Sequence, residues 1–339
     1  MTSNKVDRDP PRRPRVGLAL GSGSARGLSH LGVIRALKDA GIELDCIAGT
    51  SMGALIGAIC AAGKLDELEA TFLDFDWKTT ASFFDVVLPK SGLLDGEKVS
   101  DLVRAHVHAD ALEKLAIPFA AVATDIVSGE EVILRDGDVI DAVRASISVP
   151  GIFTPVRSNG RILVDGGITN PVPASTVRAM GADLVIAVDL NHEIVAGKNL
   201  KPLRREKQAS SREDDTSGMF SRWVGDYRSS MQDIRQKLLA LDNPASAQFR
   251  KWASADESLP NIFEVLLASI NIMETRITRS RLLLDKPDLV IQPPLGHIRF
   301  LEFDRAEEII AIGYEHARRQ LAALPDNFFG GGNFFQNRR

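Results

Sequence analysis

Residues 46–63 read CIAGTSMGALIGAICAAG. A short apolar run, Cys46 to Ala48, enters Gly49-Thr50-Ser51-Met52-Gly53. From Ala54 to Ala62 the chain is apolar and rich in small residues, and Gly63 closes it. The expected local structure is a buried strand, a sharp turn and a buried helix. A Gly-x-Ser-x-Gly turn in that setting projects its serine hydroxyl above the sheet. Side chains at Gly49 and Gly53 would clash with the turn. The free N–H groups at the start of the following helix face any negative charge that develops there. Ser51 is therefore the candidate nucleophile.

The segment upstream repeats the pattern. Val16 to Leu20 is a short apolar run ending in Gly21-Ser22-Gly23-Ser24-Ala25-Arg26-Gly27. Leu28, Leu31, Val33, Ile34 and Leu37 then recur at helical spacing between Ala25 and Ala40, with Gly41 as the expected C-terminal cap. The order strand, glycine loop, helix, strand, sharp turn, helix implies a parallel sheet with crossover helices. Three readings of the loop compete. A dinucleotide fingerprint would need glycine where Arg26 stands, and an acidic residue at the far end of the next strand, whereas Asp45 lies at its start. A phosphate-binding P-loop would need Gly-Lys-Ser/Thr. The better reading is an oxyanion hole, with backbone N–H groups aimed at the carbonyl oxygen of an acyl substrate.

Later segments are expected to follow the same scheme. Phe119–Ala123 and Val132–Leu134 read as strands around a Ser128-Gly129 turn. Ile162–Val164 reads as a strand entering Asp165-Gly166-Gly167. Leu184–Val188 follows a helix beginning near Pro171, where Pro171 and Pro173 suit a first turn. Asn261–Leu284 reads as a helix, Leu289–Ile291 as a strand and Arg305–Leu324 as an amphipathic helix. The expected domain plan is a disordered basic N-terminus over 1–14, one catalytic domain over 15–325 and a disordered tail over 326–339. A polar insertion at about 195–258, with a helical part around Tyr227 to Leu241, interrupts the domain.

Composition narrows the function classes. The 339 residues are 44% hydrophobic and 25% charged, with a net charge of -4, ordinary for a globular protein. No basic footprint points to nucleic acid. Cys46 and Cys60 lie in apolar stretches and read as buried free thiols in a reducing compartment. The N-terminus lacks the apolar core of a signal peptide. The run from Ala54 to Ala62 is far short of the ~20 residues a membrane span needs. The expectation is a cytoplasmic protein. Arg12-Arg13-Pro14-Arg15 and the aromatic tail keep open a peripheral contact with the inner membrane face.

The base is less obvious. His30, His106, His108, His192, His297 and His316 read as surface or helix-face residues, and none has supporting motif residues around it. Asp165-Gly166-Gly167 differs, because an aspartate at a strand end sits where open α/β sheets bind ligands. On its own it reads equally well as a plain turn.

Taken together, Gly-x-Gly-x-x-Arg-Gly at 21–27, Gly49-x-Ser51-x-Gly53 and Asp165-Gly166-Gly167 resemble the patatin-like phospholipases, particularly the bacterial branch related to neuropathy target esterase. Ser146-Ile147-Ser148-Val149-Pro150-Gly151-Ile152-Phe153 and Asp165 to Pro173 extend the likeness, which covers roughly Val16 to Asp189. The resemblance implies a three-layer α/β fold, with a central, mostly parallel sheet flanked by helices. It also implies a Ser51–Asp165 dyad that hydrolyses lipid or acyl esters, with no cofactor and no metal. Gly21, Gly23, Ser24, Ala25, Arg26 and Gly27 would shape the oxyanion site, and Gly49, Gly53, Gly166 and Gly167 would support the motifs. A catalytically silent regulator of the same fold is the alternative. Ser22 and Ser24 depart from the glycines the family often has, and position 22 is expected to have no side-chain role.

Overall fold

The computed structural model describes residues 13–75, 95–193, 262–325 and 327–329. Contacts group residues 1–199 and 266–339 into one compact unit. A second unit spans 200–265, and only the start of one helix is described in it. The expected insertion at 195–258 with its Tyr227–Leu241 helix lies outside the described residues. So do nearly all of the basic N-terminus and most of the tail.

The strands are β1 (Val16–Leu20), β2 (Cys46–Thr50), β3 (Phe119–Asp125), β4 (Glu131–Leu134), β5 (Val156–Ser158), β6 (Arg161–Asp165), β7 (Leu184–Val188) and β8 (Leu289–Ile291). They form one sheet in the order β5-β6-β3-β2-β1-β7-β8, with β4 also on β3. Every residue of β1, β2 and β3 is buried. Such unbroken runs belong to parallel strands covered on both faces. Half-buried β4 and β5 carry the polar side chains.

The helices are α1 (Ser29–Asp39), α2 (Met52–Ala61), α3 (Leu65–Leu73), α4 (Glu97–His106), α5 (Val139–Ser146), α6 (Ala174–Ala179), α7 (Ile262–Asp285) and α8 (Ala306–Ala322). Both α1 and α2 end on a left-handed glycine, Gly41 at φ 73° and Gly63 at φ 75°. Around each the chain closes a Schellman turn, for example Gly41 N to Lys38 O and Ile42 N to Leu37 O. The chain between β1 and α1 begins as a 3₁₀ turn, Ser24–Leu28, so the α-helix starts four residues later than its periodicity indicates. Pro173 caps α6, and Pro171 stays outside it. Cys46 and Cys60 are buried free thiols.

The expected architecture, a mostly parallel sheet flanked by helices, is present. The strands at one end depart from the parallel scheme. β6 runs antiparallel to β3, as do β4 to β3 and β5 to β6. The four pairs among β1, β2, β3, β7 and β8 are parallel. The antiparallel end positions Asp165. Thr50, at the end of β2, lies opposite Val122, and Asp165 lies opposite the next residue, Ala123. Val122 and Ala123 both also pair with β4. A strand has only two edges, so β2 and β6 meet end to end on one edge of β3. The last residue of each then sits on a neighbouring rung.

Two chain ends expected to be loose are tied to the body where they are described. Arg13 donates to both carboxylate oxygens of Asp45, at 2.8 and 3.0 Å. Phe329 is buried in the turn at 327–329. Among the described residues, no helix is long and apolar enough to cross a membrane.

Candidate active site

Ser51 joins β2 to α2 at φ 56° and ψ -123°. A residue with a Cβ is strained there, at a cost of order 1–3 kcal/mol, unless its surroundings hold it. They do so through polar anchors. The Ser51 N–H donates to Ser146 Oγ at 2.9 Å, and that hydroxyl donates to Val122 O at 2.5 Å. Thr50 Oγ1 donates to Asn170 O at 2.8 Å. The flanking glycines are forced by backbone. A Cβ on Gly49 would lie 2.2 Å from Gly53 O, and one on Gly53 would lie 2.2 Å from Leu20 O.

Asp165 is buried at the end of β6. Its Oδ1 accepts from Gly167 N at 2.7 Å, and its own N–H donates to Ser148 O at 2.9 Å. Oδ2 is buried without a well-formed hydrogen bond. Burial pushes the carboxyl up to about 6, and hydrogen bonding from the Ser51 hydroxyl and the Gly167 amide partly offsets the rise. A loose serine–base contact is common before substrate binds. Gly166 has no room for a side chain, since its Cβ would lie 2.2 Å from Val122 O.

The glycine loop narrows the set of available donors. Gly21 N–H is spent on Val188 O, Ala25 N–H on Phe300 O and Arg26 N–H on Gly23 O. Those three amides are tied into the fold and are not free for a substrate oxygen. Ser22 N–H is likewise bound to Pro171 O. Among the described residues, the amides of Gly23 and Ser24 face no such acceptor, nor does Met52 N–H at the start of α2. Ser24 sits at φ 49°, a region glycine prefers, and its hydroxyl is held by Phe300 O at 2.5 Å.

Arg26 requires a correction, because its guanidinium leaves the loop for the interior. It is 1% exposed. It donates to Ile298 O at 3.2 Å, Asn191 Oδ1 at 3.2 Å and Asn271 Oδ1 at 3.3 Å. Burial lowers it to about 10, so it stays charged at neutral pH. Ser22 requires another: its hydroxyl donates to Glu274 Oε2 at 3.1 Å and accepts from Asn191 Nδ2 at 3.1 Å. The position therefore has a side-chain role. Glu274, on α7 and buried, belongs to none of the sequence motifs. His30 is also fully buried. Burial lowers it to about 4, so it is neutral, and its Nε2 donates to Gly21 O at 2.8 Å. It pins the glycine loop rather than facing solvent.

Ser24 and Ser51 are the polar residues lining an otherwise apolar cavity. Its walls include Leu55, Phe72, Leu102, Phe153, Phe300 and Phe303. Phe72 and Phe303 stack with ring centroids 6.3 Å apart. An apolar cavity with a few convergent polar groups is the usual form of a small-molecule site.

Residues 18–178 match the patatin-like phospholipase family model. An NTE family protein of Mycobacterium tuberculosis is 36% identical over 334 residues, covering 92% of each chain. A second one from that organism is 30% identical over 312 residues, covering 92% of this chain and 47% of its own. Human patatin-like phospholipase domain-containing protein 6 is 25% identical, over 89% of this chain and 20% of the human one. The crystal structure of VipD from Legionella pneumophila aligns with a TM-score of 0.44 at 14% identity, over 92% of this chain and 67% of that one.

Proposed function

Since the chain belongs to the NTE family of patatin-like phospholipases, we propose that it is a serine hydrolase that cleaves lipid carboxylic esters through Ser51 and Asp165. The observation that carries this reading is the end-to-end meeting of β2 and β6. It brings Ser51, which lines an apolar cavity, next to the buried Asp165.

Ser51 Oγ attacks the ester carbonyl carbon while its proton passes to Asp165 Oδ2. The carbonyl oxygen becomes an oxyanion and is received by the free amides of Gly23, Ser24 and Met52. Collapse of the tetrahedral intermediate breaks the bond to the leaving alkoxide, which takes the proton from Asp165. An acyl ester on Ser51 remains. Water then attacks it, losing its proton to Asp165, and the acid is released as Ser51 regains its hydrogen. An aspartate raised to about 6 is a better base than an ordinary one and is still ionised at neutral pH.

A fluorophosphonate probe followed by peptide mapping tests the reading directly. The expected result is a single adduct on Ser51, together with hydrolysis of p-nitrophenyl acyl esters. A protein that is neither labelled nor active on any ester would overturn it and favour a scaffold role. The cavity adds a specificity prediction. Each methylene buried against its apolar wall contributes about 0.8 kcal/mol. Over the first several carbons, kcat/KM is expected to rise about fourfold per methylene. A flat chain-length profile would show that the acyl chain lies elsewhere.

A further inference from the structure

Glu274 has no part in the dyad, yet the segments that follow three strands converge on it. Its Oε2 is in contact with Ser22 Oγ, after β1, and with Asn191 Nδ2, after β7, both at 3.1 Å. Its Oε1 rests against Gly167, after β6. A Cβ built there would lie 2.1 Å from Glu274 Oε1 and 3.0 Å from Asp165 Oδ1. The two carboxyl oxygens are therefore within about 5 Å of each other, close enough for one charge to oppose the other strongly.

The charged groups facing Glu274 are Asp165 from β6 and Arg26 from the turn after β1. Asp189, at the end of β7, faces Arg26. Arg26 is engaged by two asparagines and a carbonyl, and forms no ion pair among the described residues. Burial, and then the Asp165 charge, push the Glu274 carboxyl up to about 8. Burial raises both carboxyls, and the Asp165 charge adds to the rise at Glu274, which favours a neutral Glu274 beside an ionised Asp165. With its proton on Oε1 the acid keeps both Oε2 contacts, accepting from the Ser22 hydroxyl and from Asn191 Nδ2.

We propose that Glu274 is a positioning residue that works as a neutral carboxylic acid, locking Ser22, Asn191 and Gly167 around Asp165. This rests on the hydrolase reading above. During acylation, negative charge moves from Asp165 to an oxyanion at Gly23 and Ser24, the residues that directly follow Ser22. A charged Glu274 would oppose that charge and pull on the Gly167 segment that orients the base. Loss of the Glu274 proton therefore shuts the site from behind.

Glu274→Gln in the full chain tests this, because glutamine keeps the shape and cannot ionise. In the unmodified protein, kcat is expected to fall above pH 8. The variant should lose up to about tenfold in plateau kcat, keep the acid limb near 6 and lack the alkaline limb. The ratio of variant to unmodified kcat should thus rise about tenfold between pH 7 and pH 9. A ratio that stays constant would overturn the proposal while leaving the dyad intact. Absence of probe labelling on Ser51 would instead count against the hydrolase reading.

Thermal unfolding separates the two further, since it needs no activity. A folded-state value raised from 4.5 to about 8 makes burial of Glu274 cost nothing at low pH. The cost grows as pH rises through that window. The Tm of Glu274→Gln relative to the unmodified protein should therefore climb from pH 5 to pH 8 and then level. A gap that does not change with pH would show that Glu274 is not held as a neutral acid.

Discussion

Ser51→Ala is expected to lower kcat by about 10⁶-fold, to background, because it removes the hydroxyl that carries the acyl group in the proposed reaction. Asp165→Asn should lower it by about 10²–10⁴-fold, the usual contribution of a positioned base. Neither change should unfold the chain. Ser51 donates to Ser146 through its backbone, and alanine keeps that bond. The side-chain amide introduced by Asp165→Asn would still offer an oxygen to the Gly167 N–H. The pH profile gives the sign. In the proposed dyad the Asp165 carboxylate accepts the serine proton, and burial raises its titration to about 6. kcat/KM in the unmodified protein should reach its plateau above that value and fall about tenfold per pH unit below it. Activity that persists in either variant, or a profile governed by a histidine near its ordinary value, would remove the dyad.

Stability should move the other way in the same variants. Burial of Asp165 costs nothing below its ordinary 3.8 and its full amount above about 6. Asp165→Asn is thus expected to be more stable than the unmodified protein at pH 7, by up to about 3 kcal/mol, and equal to it at pH 3. At the elbow, φ 56° favours glycine. Ser51→Gly should be more stable than Ser51→Ala by about 1 kcal/mol. Both comparisons describe a site where strain and buried charge are kept at the expense of stability.

What could be read in advance depended on whether the cause was local. β1 and the elbow were legible because an unbroken apolar run followed by a glycine turn has few other outcomes. Asp165 stood out through its two glycines, and resemblance to a family supplied its role. The antiparallel direction of β6 was not legible, since strand direction is set by the connection through α5 and by pairing with β3, not by residues 161–165 themselves. Arg26 looked like part of a loop; its direction depends on Asn191 and Asn271, 165 and 245 residues away. Glu274 lies in a helix whose sequence shows no motif, and it acquires meaning only through Ser22, 252 residues earlier. Ser22 and Ser24 read as neutral departures in the sequence, yet their hydroxyls bond Glu274 and Phe300, partners that only the fold brings near.

Gly32→Ala is expected to be the most destabilising single methyl added to the body of the fold. The apolar spacing of α1 marks Leu31, Ile34 and Leu37 as its buried face, but says nothing of how near its partner helix comes. A Cβ on Gly32 would lie 2.0 Å from Ile310 O and 2.6 Å from Tyr314 N of α8. A Cβ on Gly313 would lie 2.2 Å from Ser29 O. The two helices thus touch backbone to backbone, and no side chain can rotate away to make room. The helices must separate, which opens the core behind Ile309 and Ile310, both buried. Overpacking of this kind costs about 3 kcal/mol or more. Gly41→Ala is the control: its φ of 73° is unfavourable to alanine, but nothing lies within 4 Å of the new methyl. It should cost only about 1 kcal/mol. Urea unfolding of the two variants should show a clearly lower midpoint for Gly32→Ala. Equal midpoints would mean that the α1–α8 crossing is loose enough to admit a methyl group. Because α1 also carries His30, which holds the glycine loop through Gly21 O, the same variant should lose activity before it unfolds.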